Sequence, residues 1–201
     1  NDLFQAYGID AHYQPLRVNK DDLEAAVKGL KAIGVSGFNV TVPHKETIIP
    51  FLDKLDPLAK AIGAVNTVVN EDGQFVGYNT DGSGFLEGLL NEISSINDKN
   101  VLVIGAGGAA RAIYFTIAQK EIAKLDICNR TINKAKIIVD ECPYQVHSNA
   151  LEIGEAEENL AEYDLVINTT PIRMAHDIGV LPLSLHNLNT KAFVCDIIYN
   201  P

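Results

Sequence analysis

The sequence predicts an α/β protein: a smaller mixed α/β unit followed by a doubly wound parallel sheet. Two observations carry the prediction. From Val101 onward, short apolar runs alternate with helical stretches, beginning with "VLVIGAG" and "GAARAIYFTIAQK". Continuous apolar strands separated by helices belong to a parallel sheet covered on both faces. Before that point the strands alternate polar and apolar residues, and one pair is joined by the turn dipeptide Asp72-Gly73, which signals a hairpin. The polar stretch "SSINDKN", residues 94–100, separates the two rhythms and places a boundary near residue 98, giving units 1–98 and 99–201.

The elements follow in order. "HYQPLRV" reads as a strand, and "NKDDLEAAVKGLKAIGV" as an amphipathic helix opened by Asn19 and closed near Gly34. In "FNVTVPHKETI", Phe38, Val40 and Val42 alternate with Asn39 and Thr41, the period of a short strand, and Pro43 has the backbone angle suited to opening a helix. Pro50 interrupts that helix. "AVNTVVNEDGQFVGYN" supplies the hairpin, and "TDGSGFLEGLLNEI" a further helix. Beyond the boundary come the strand and helix already quoted, then "KLDICNR" as strand, "INKAKIIVDEC" as helix, and "YDLVINTT" and "AFVCDIIY" as strands.

Composition narrows the function. With 201 residues, 47% of them apolar, the chain can bury a sizeable core. A formal charge of −10 and the lack of any basic run exclude nucleic-acid and anionic-membrane partners, which need a patch of cations to displace counterions. No apolar stretch reaches membrane-spanning length, and "NDLFQAYGID" lacks the basic start and apolar run of a signal peptide. Cys128, Cys142 and Cys195 are widely spaced and odd in number, which fits a reducing cytoplasm, and the five histidines form no metal-ligand spacing.

"VLVIGAGGAARAI" carries Gly105, Gly107 and Ala110 in the G-x-G-x-x-A pattern between a strand and a helix. Gly105 permits the tight turn, Gly107 lets the backbone approach a pyrophosphate, and Ala110 lets helix and strand pack closely, the fingerprint of a Rossmann-like nucleotide domain. The next strand ends "ICNRT". Asn129 and Arg130 stand where an acid would hold the ribose of NAD, and a guanidinium suits the 2′-phosphate of NADP.

Lys45 is conspicuous for a different reason. In the first turn of a helix it meets the positive end of the macrodipole, a placement disfavoured by about 0.3–1 kcal/mol. An ammonium so placed loses its proton more readily unless a carboxylate opposes the shift, which suits acid–base work. Asp81, just before a helix, reads equally as an N-cap. His44 reads as a helix-start residue rather than a catalyst.

Taken in order, "GFNVTVPHKE", "GAVNT", "GYNTDG", "GAGGAARA", "NRT" and "DIIY" resemble the shikimate dehydrogenase family over nearly the whole chain. The resemblance implies an enzyme that reversibly reduces 3-dehydroshikimate to shikimate with NADP, in the cytoplasm, as a monomer or homodimer. It also implies that Lys45 and Asp81 form the catalytic pair, that Thr41, Asn66 and Asp81 hydrogen-bond the substrate, and that Tyr199 lies at its edge. The phosphates are expected on Gly105, Ala106, Gly107, Gly108 and Ala109, and the 2′-phosphate near Asn129, Arg130 and Thr131. The nicotinamide is expected near Thr169 and Ile197. Arg173 stands where the family has glycine, and the family's N-terminal Ser-Pro segment and C-terminal glutamine region fall outside these residues. A quinate-oxidising relative and a non-catalytic nucleotide-binding protein are the alternative readings.

Overall fold

The computed structural model describes residues 1–171 and 181–197. Seven α-helices, three short 3₁₀ turns and nine strands occur among them. The first unit holds α1 (Asp2–Ala6), α2 (Leu23–Ala32), β1 (Gly37–Asn39), β2 (Lys54–Leu55), α3 (Pro57–Ile62), β3 (Thr67–Glu71), β4 (Gln74–Tyr78) and α4 (Asp81–Glu92). The second holds β5 (Asn100–Ile104), α5 (Gly108–Ile117), β6 (Lys124–Cys128), α6 (Ile132–Asp140), β7 (Ala150–Leu151), α7 (Ile153–Glu158), β8 (Leu165–Asn168) and β9 (Phe193–Asp196).

The small sheet has the order β1-β3-β4-β2, antiparallel except for the parallel β2–β4 pair. Asp72 and Gly73 both take positive φ (52° and 83°), the conformation of the tight two-residue turn that links β3 and β4. One face of this sheet is apolar: Val68 and Phe75 are buried with Leu23, Val27 and Ile48, and Phe38 meets Phe75 edge to face. Because side chains alternate along a strand, Asn39 and Thr67 project from the other face, paired directly across β1 and β3.

The large sheet is wholly parallel, in the order β7-β6-β5-β8-β9. Connections leave β5 in opposite directions, so a crevice forms at the carboxyl ends of β5 and β8, the position where open α/β sheets take ligands. Val101, Leu102, Val103, Leu125, Ile127, Leu165, Val166 and Ile167 are fully buried, as continuous apolar strands require. The buried Asp126 is satisfied by Tyr163 Oη (2.6 Å), Lys124 Nζ (2.9 Å) and two donors from Asn149 (2.8 and 3.2 Å).

Two predicted elements do not form. Residues 12–18 carry no strand: Pro15 lacks an N–H, and the Tyr13 N–H bonds the side chain of Asn1 at 2.7 Å instead of a neighbouring strand. Nor does Pro43 open an α-helix. The Val42–Pro43 peptide is cis, turns follow, and only a single 3₁₀ turn (Ile49–Phe51), with Pro50 inside it, is regular. The Lys45 carbonyl, which a helix would use internally, accepts the Val65 N–H at 2.7 Å. The short elements α1, β2, α3, β7 and α7 span two to six residues each, too few for a period to show in sequence.

Candidate active site

Lys45 and Asp81, 36 positions apart in sequence, meet. Lys45 Nζ lies 2.8 Å from Asp81 Oδ2, with the side chains 31% and 39% exposed, so the pair is open to solvent. Lys45 does not meet a helix macrodipole as the sequence predicts: the lysine stands on a turn, and it is Asp81 that occupies the first turn of a helix, α4, where the macrodipole favours an anion. Asp81 is not the N-cap. Thr80 holds that position, and the carboxylate points to Lys45 and Asn66.

Asn66 supplies the second partner, its Nδ2 donating to Asp81 Oδ1 at 2.7 Å. The backbone around it is pinned, since the Asn66 N–H donates to the Tyr78 carbonyl (3.0 Å) and its carbonyl accepts the Val40 N–H (2.8 Å). Asn79, buried just before the helix, accepts the Asp81 N–H at 3.1 Å and donates to the Ala64 carbonyl at 3.0 Å. Thr41 is exposed on the turn before Lys45, with its carbonyl accepting the His44 N–H at 2.9 Å. His44 turns away from the pair. Its Nε2 lies 3.0 Å from the Val18 carbonyl, which can only accept, so the proton sits on Nε2 and the ring ties down the preceding segment.

The second part of the site is the loop from β5 to α5. Gly105 has φ +106°, and a Cβ there would lie 2.6 Å from Thr169 Oγ1, so only glycine fits beneath the loop. Thr169 is buried, and its hydroxyl and N–H both donate to the Ile104 carbonyl, at 2.7 and 2.9 Å, joining the ends of β5 and β8. Gly107 caps α5 without any side-chain bond, and a Cβ on Gly107 or Gly108 would meet nothing within 4 Å. The helix thus begins with an open backbone surface of N–H groups, which fits a dinucleotide pyrophosphate. Beyond β6, Asn129 Nδ2 donates to the Thr131 carbonyl at 2.9 Å and shapes the loop, while Arg130 is exposed and, among the described residues, pairs with no carboxylate. That free guanidinium fits a 2′-phosphate. Ile197 follows β9, its N–H on the Asn168 carbonyl at 3.1 Å. Tyr199 and Arg173 lie outside the described residues.

Helix packing joins the two parts. Gly82, next to Asp81, is so close to α5 that a Cβ would lie 2.4 Å from the Ala112 carbonyl oxygen. Ala112 is four residues past Gly108, about 6 Å along the helix at 1.5 Å per residue. Arg111 adds a second tie, donating from Nη2 to the Ala61 carbonyl at 2.7 Å while Nη1 pairs with Glu141. Thr67, Thr80 and Asn79, which contact Asn66 or Asp81, and Asn39, which contacts Thr67, are absent from the sequence-based site. The alternation that sets Asn39 and Thr67 on the polar sheet face was the available signal.

A doubly wound sheet with a glycine loop at its crevice, packed against a helix whose first carboxylate pairs with a lysine from a neighbouring turn, defines a dinucleotide-binding protein of two α/β units. Comparison with known proteins makes the assignment specific. Family profiles for the shikimate dehydrogenase substrate binding domain and for shikimate / quinate 5-dehydrogenase match residues 1–68 and 88–178. Shikimate dehydrogenase (NADP(+)) of Bacillus cereus is 50% identical over 203 residues, covering 100% of this chain and 73% of its own length. The crystal structure of shikimate 5-dehydrogenase from Listeria monocytogenes, in complex with shikimate and NAD, superimposes with a TM-score of 0.91 at 32% identity, over 98% of this chain and 72% of that one. Quinate dehydrogenase from Corynebacterium glutamicum, in complex with NAD, gives 0.86 at 27% identity, over 98% and 72%. The chain belongs to the shikimate dehydrogenase family.

Proposed function

We propose that this protein catalyses the reversible NADP-dependent reduction of 3-dehydroshikimate to shikimate, with residues 1–98 holding the substrate and 99–201 the cofactor. The observation that carries the reading is the convergence of Lys45 and Asn66, from two loops, on Asp81, which opens the helix that packs against the glycine-loop helix. Gly105, Ala106, Gly107, Gly108 and Ala109 would hold the phosphates of NADPH and Arg130 its 2′-phosphate, and the cofactor so held would supply the hydride.

The chain's own residues manage the oxygen. As the ketone carbon is reduced its oxygen gains negative charge, which the Lys45 ammonium stabilises and then neutralises by giving up a proton. Asp81 holds that ammonium at 2.8 Å and offers its carboxylate to the substrate hydroxyls, with Asn66 and Thr41 as further hydrogen-bonding groups. Partial exposure lets Lys45 regain its proton from water between turnovers.

An absorbance assay at the nicotinamide band tests the proposal, using the full-length protein with shikimate or quinate and NADP or NAD. Turnover of shikimate with NADP is the expected result. Preference for quinate with NAD assigns the chain to the quinate-oxidising branch, and no turnover with any pair removes the catalytic reading.

A further inference from the structure

The hydrogen bonds behind Asn66 run in one direction only, and that direction ends on the Asp81 carboxylate. Asn66 Oδ1 receives the Thr80 backbone N–H at 3.0 Å. A backbone N–H can only donate, so the carbonyl end of this amide must face Thr80 and its NH2 must face Asp81. The same oxygen takes the Thr67 hydroxyl at 3.0 Å and lies 3.2 Å from the Thr80 hydroxyl. Having spent its proton on Asn66, Thr67 Oγ1 accepts from Asn39 Nδ2 at 3.3 Å, which leaves Asn39 Oδ1 to accept from Tyr13 Oη at 3.2 Å. Asn39 and Thr67 are directly opposed on β1 and β3, so the sheet register itself fixes their separation.

We propose that Thr67 is a positioning residue for the catalytic carboxylate: oriented by Asn39, its hydroxyl locks the Asn66 amide so that Nδ2 is presented to Asp81 Oδ1. Without that hydroxyl, Asn66 keeps only the Thr80 donors, and its amide plane can tilt away from the carboxylate. The pair then loses the partner that leaves Oδ2 free for Lys45. The proposal rests on the catalytic reading of Lys45 and Asp81, and its consequence for the amide does not depend on turnover.

Thr67→Val keeps the side-chain shape and removes both donor and acceptor, whereas Thr67→Ser keeps the hydroxyl. In the full-length protein, T67V lowers kcat about 3–10-fold, the range expected for one neutral hydrogen bond, with a smaller change in KM, and T67S stays within about twofold of wild type. The Asn66 side-chain NH2 resonances, identified by their loss in Asn66→Asp, shift in T67V and stay in place in T67S. Unmoved Asn66 resonances in T67V overturn the proposal, as does wild-type kcat in T67V when Lys45→Ala is inactive. A wild-type protein with no dehydrogenase activity, in which T67V still moves the Asn66 resonances, overturns the functional reading and leaves the positioning role standing.

Discussion

Replacing Gly82 by alanine tests the packing that joins the pair to the glycine loop. The added Cβ would lie 2.1 Å from Thr116 Oγ1, 2.4 Å from the Ala112 carbonyl oxygen and 2.9 Å from its carbon. Thr116 can relieve its share by changing rotamer. The Ala112 backbone, inside α5, cannot. Restoring a normal contact of about 3.5 Å requires α4 to move away by roughly 1 Å. Overpacking of this kind costs about 1–3 kcal/mol, of which the lower chain entropy of alanine recovers about 0.4–1 kcal/mol. A net loss of about 1–2 kcal/mol lowers Tm by roughly 2–8 °C in a chain of this size. Asp81 travels with α4, so its 2.8 Å contact with Lys45 opens beyond hydrogen-bond reach, and a displacement of about 1 Å at reacting groups costs about 10²-fold in turnover. Gly88→Ala is the control: on the same helix, its Cβ meets nothing within 4 Å, so Tm rises slightly and activity is unchanged. Thermal denaturation and steady-state kinetics on both variants decide the matter. A Gly82→Ala protein as stable and active as wild type would refute the claimed contact.

Three further outcomes are expected. Lys45→Ala lowers kcat about 10²–10⁴-fold, the range for an acid–base group, and unchanged turnover removes Lys45 from the mechanism. Arg130→Ala raises KM for NADPH and leaves NADH nearly unaffected; equal effects on both contradict the 2′-phosphate role. The Lys31 ammonium, at 2.5 Å, and the Phe75 N–H, at 2.7 Å, hold the Asp53 carboxyl below its ordinary value of 3.8, and burial opposes them only in part. A depressed folded-state value means that this stabilisation is present above pH 3.8 and is lost as pH falls through the lower value. The urea midpoint of wild type therefore drops more steeply below pH 4 than that of Asp53→Asn, and parallel profiles would contradict the assignment.

The parallel half was legible because its physics is local. Strands buried on both faces must be largely apolar, and β5 and β8 at the centre of the sheet read that way, with β6 interrupted only by the paired Asp126 and the edge strand β9 half-buried. The turn at Asp72-Gly73 was equally readable, since few residues accept its positive φ. The segment after Pro43 was not, because local preference lost to a tertiary bond: the Val65 N–H takes the Lys45 carbonyl, and the buried Ile48 is drawn into the core of the small sheet. Asp81 shows the same limit. Its position before a helical stretch suggested a cap, yet the carboxylate faces Asn66 and Lys45, partners on other elements.

By itself the sequence determined the chemical inventory: one glycine loop, an arginine in place of an acid, and a lysine and an aspartate within ordered motifs. It also determined the periods that make the strands and helices, since burial on one face or two is written in the spacing of apolar residues. Which groups touch was decided only by the tertiary structure. The cross-strand register sets Asn39 against Thr67, and the missing side chain at Gly82 lets α4 approach α5. Lys45 reaches Asp81 because two distant segments, leaving β1 and β4, close at one end of the small sheet, a free-energy outcome of the whole packed core that no local window contains.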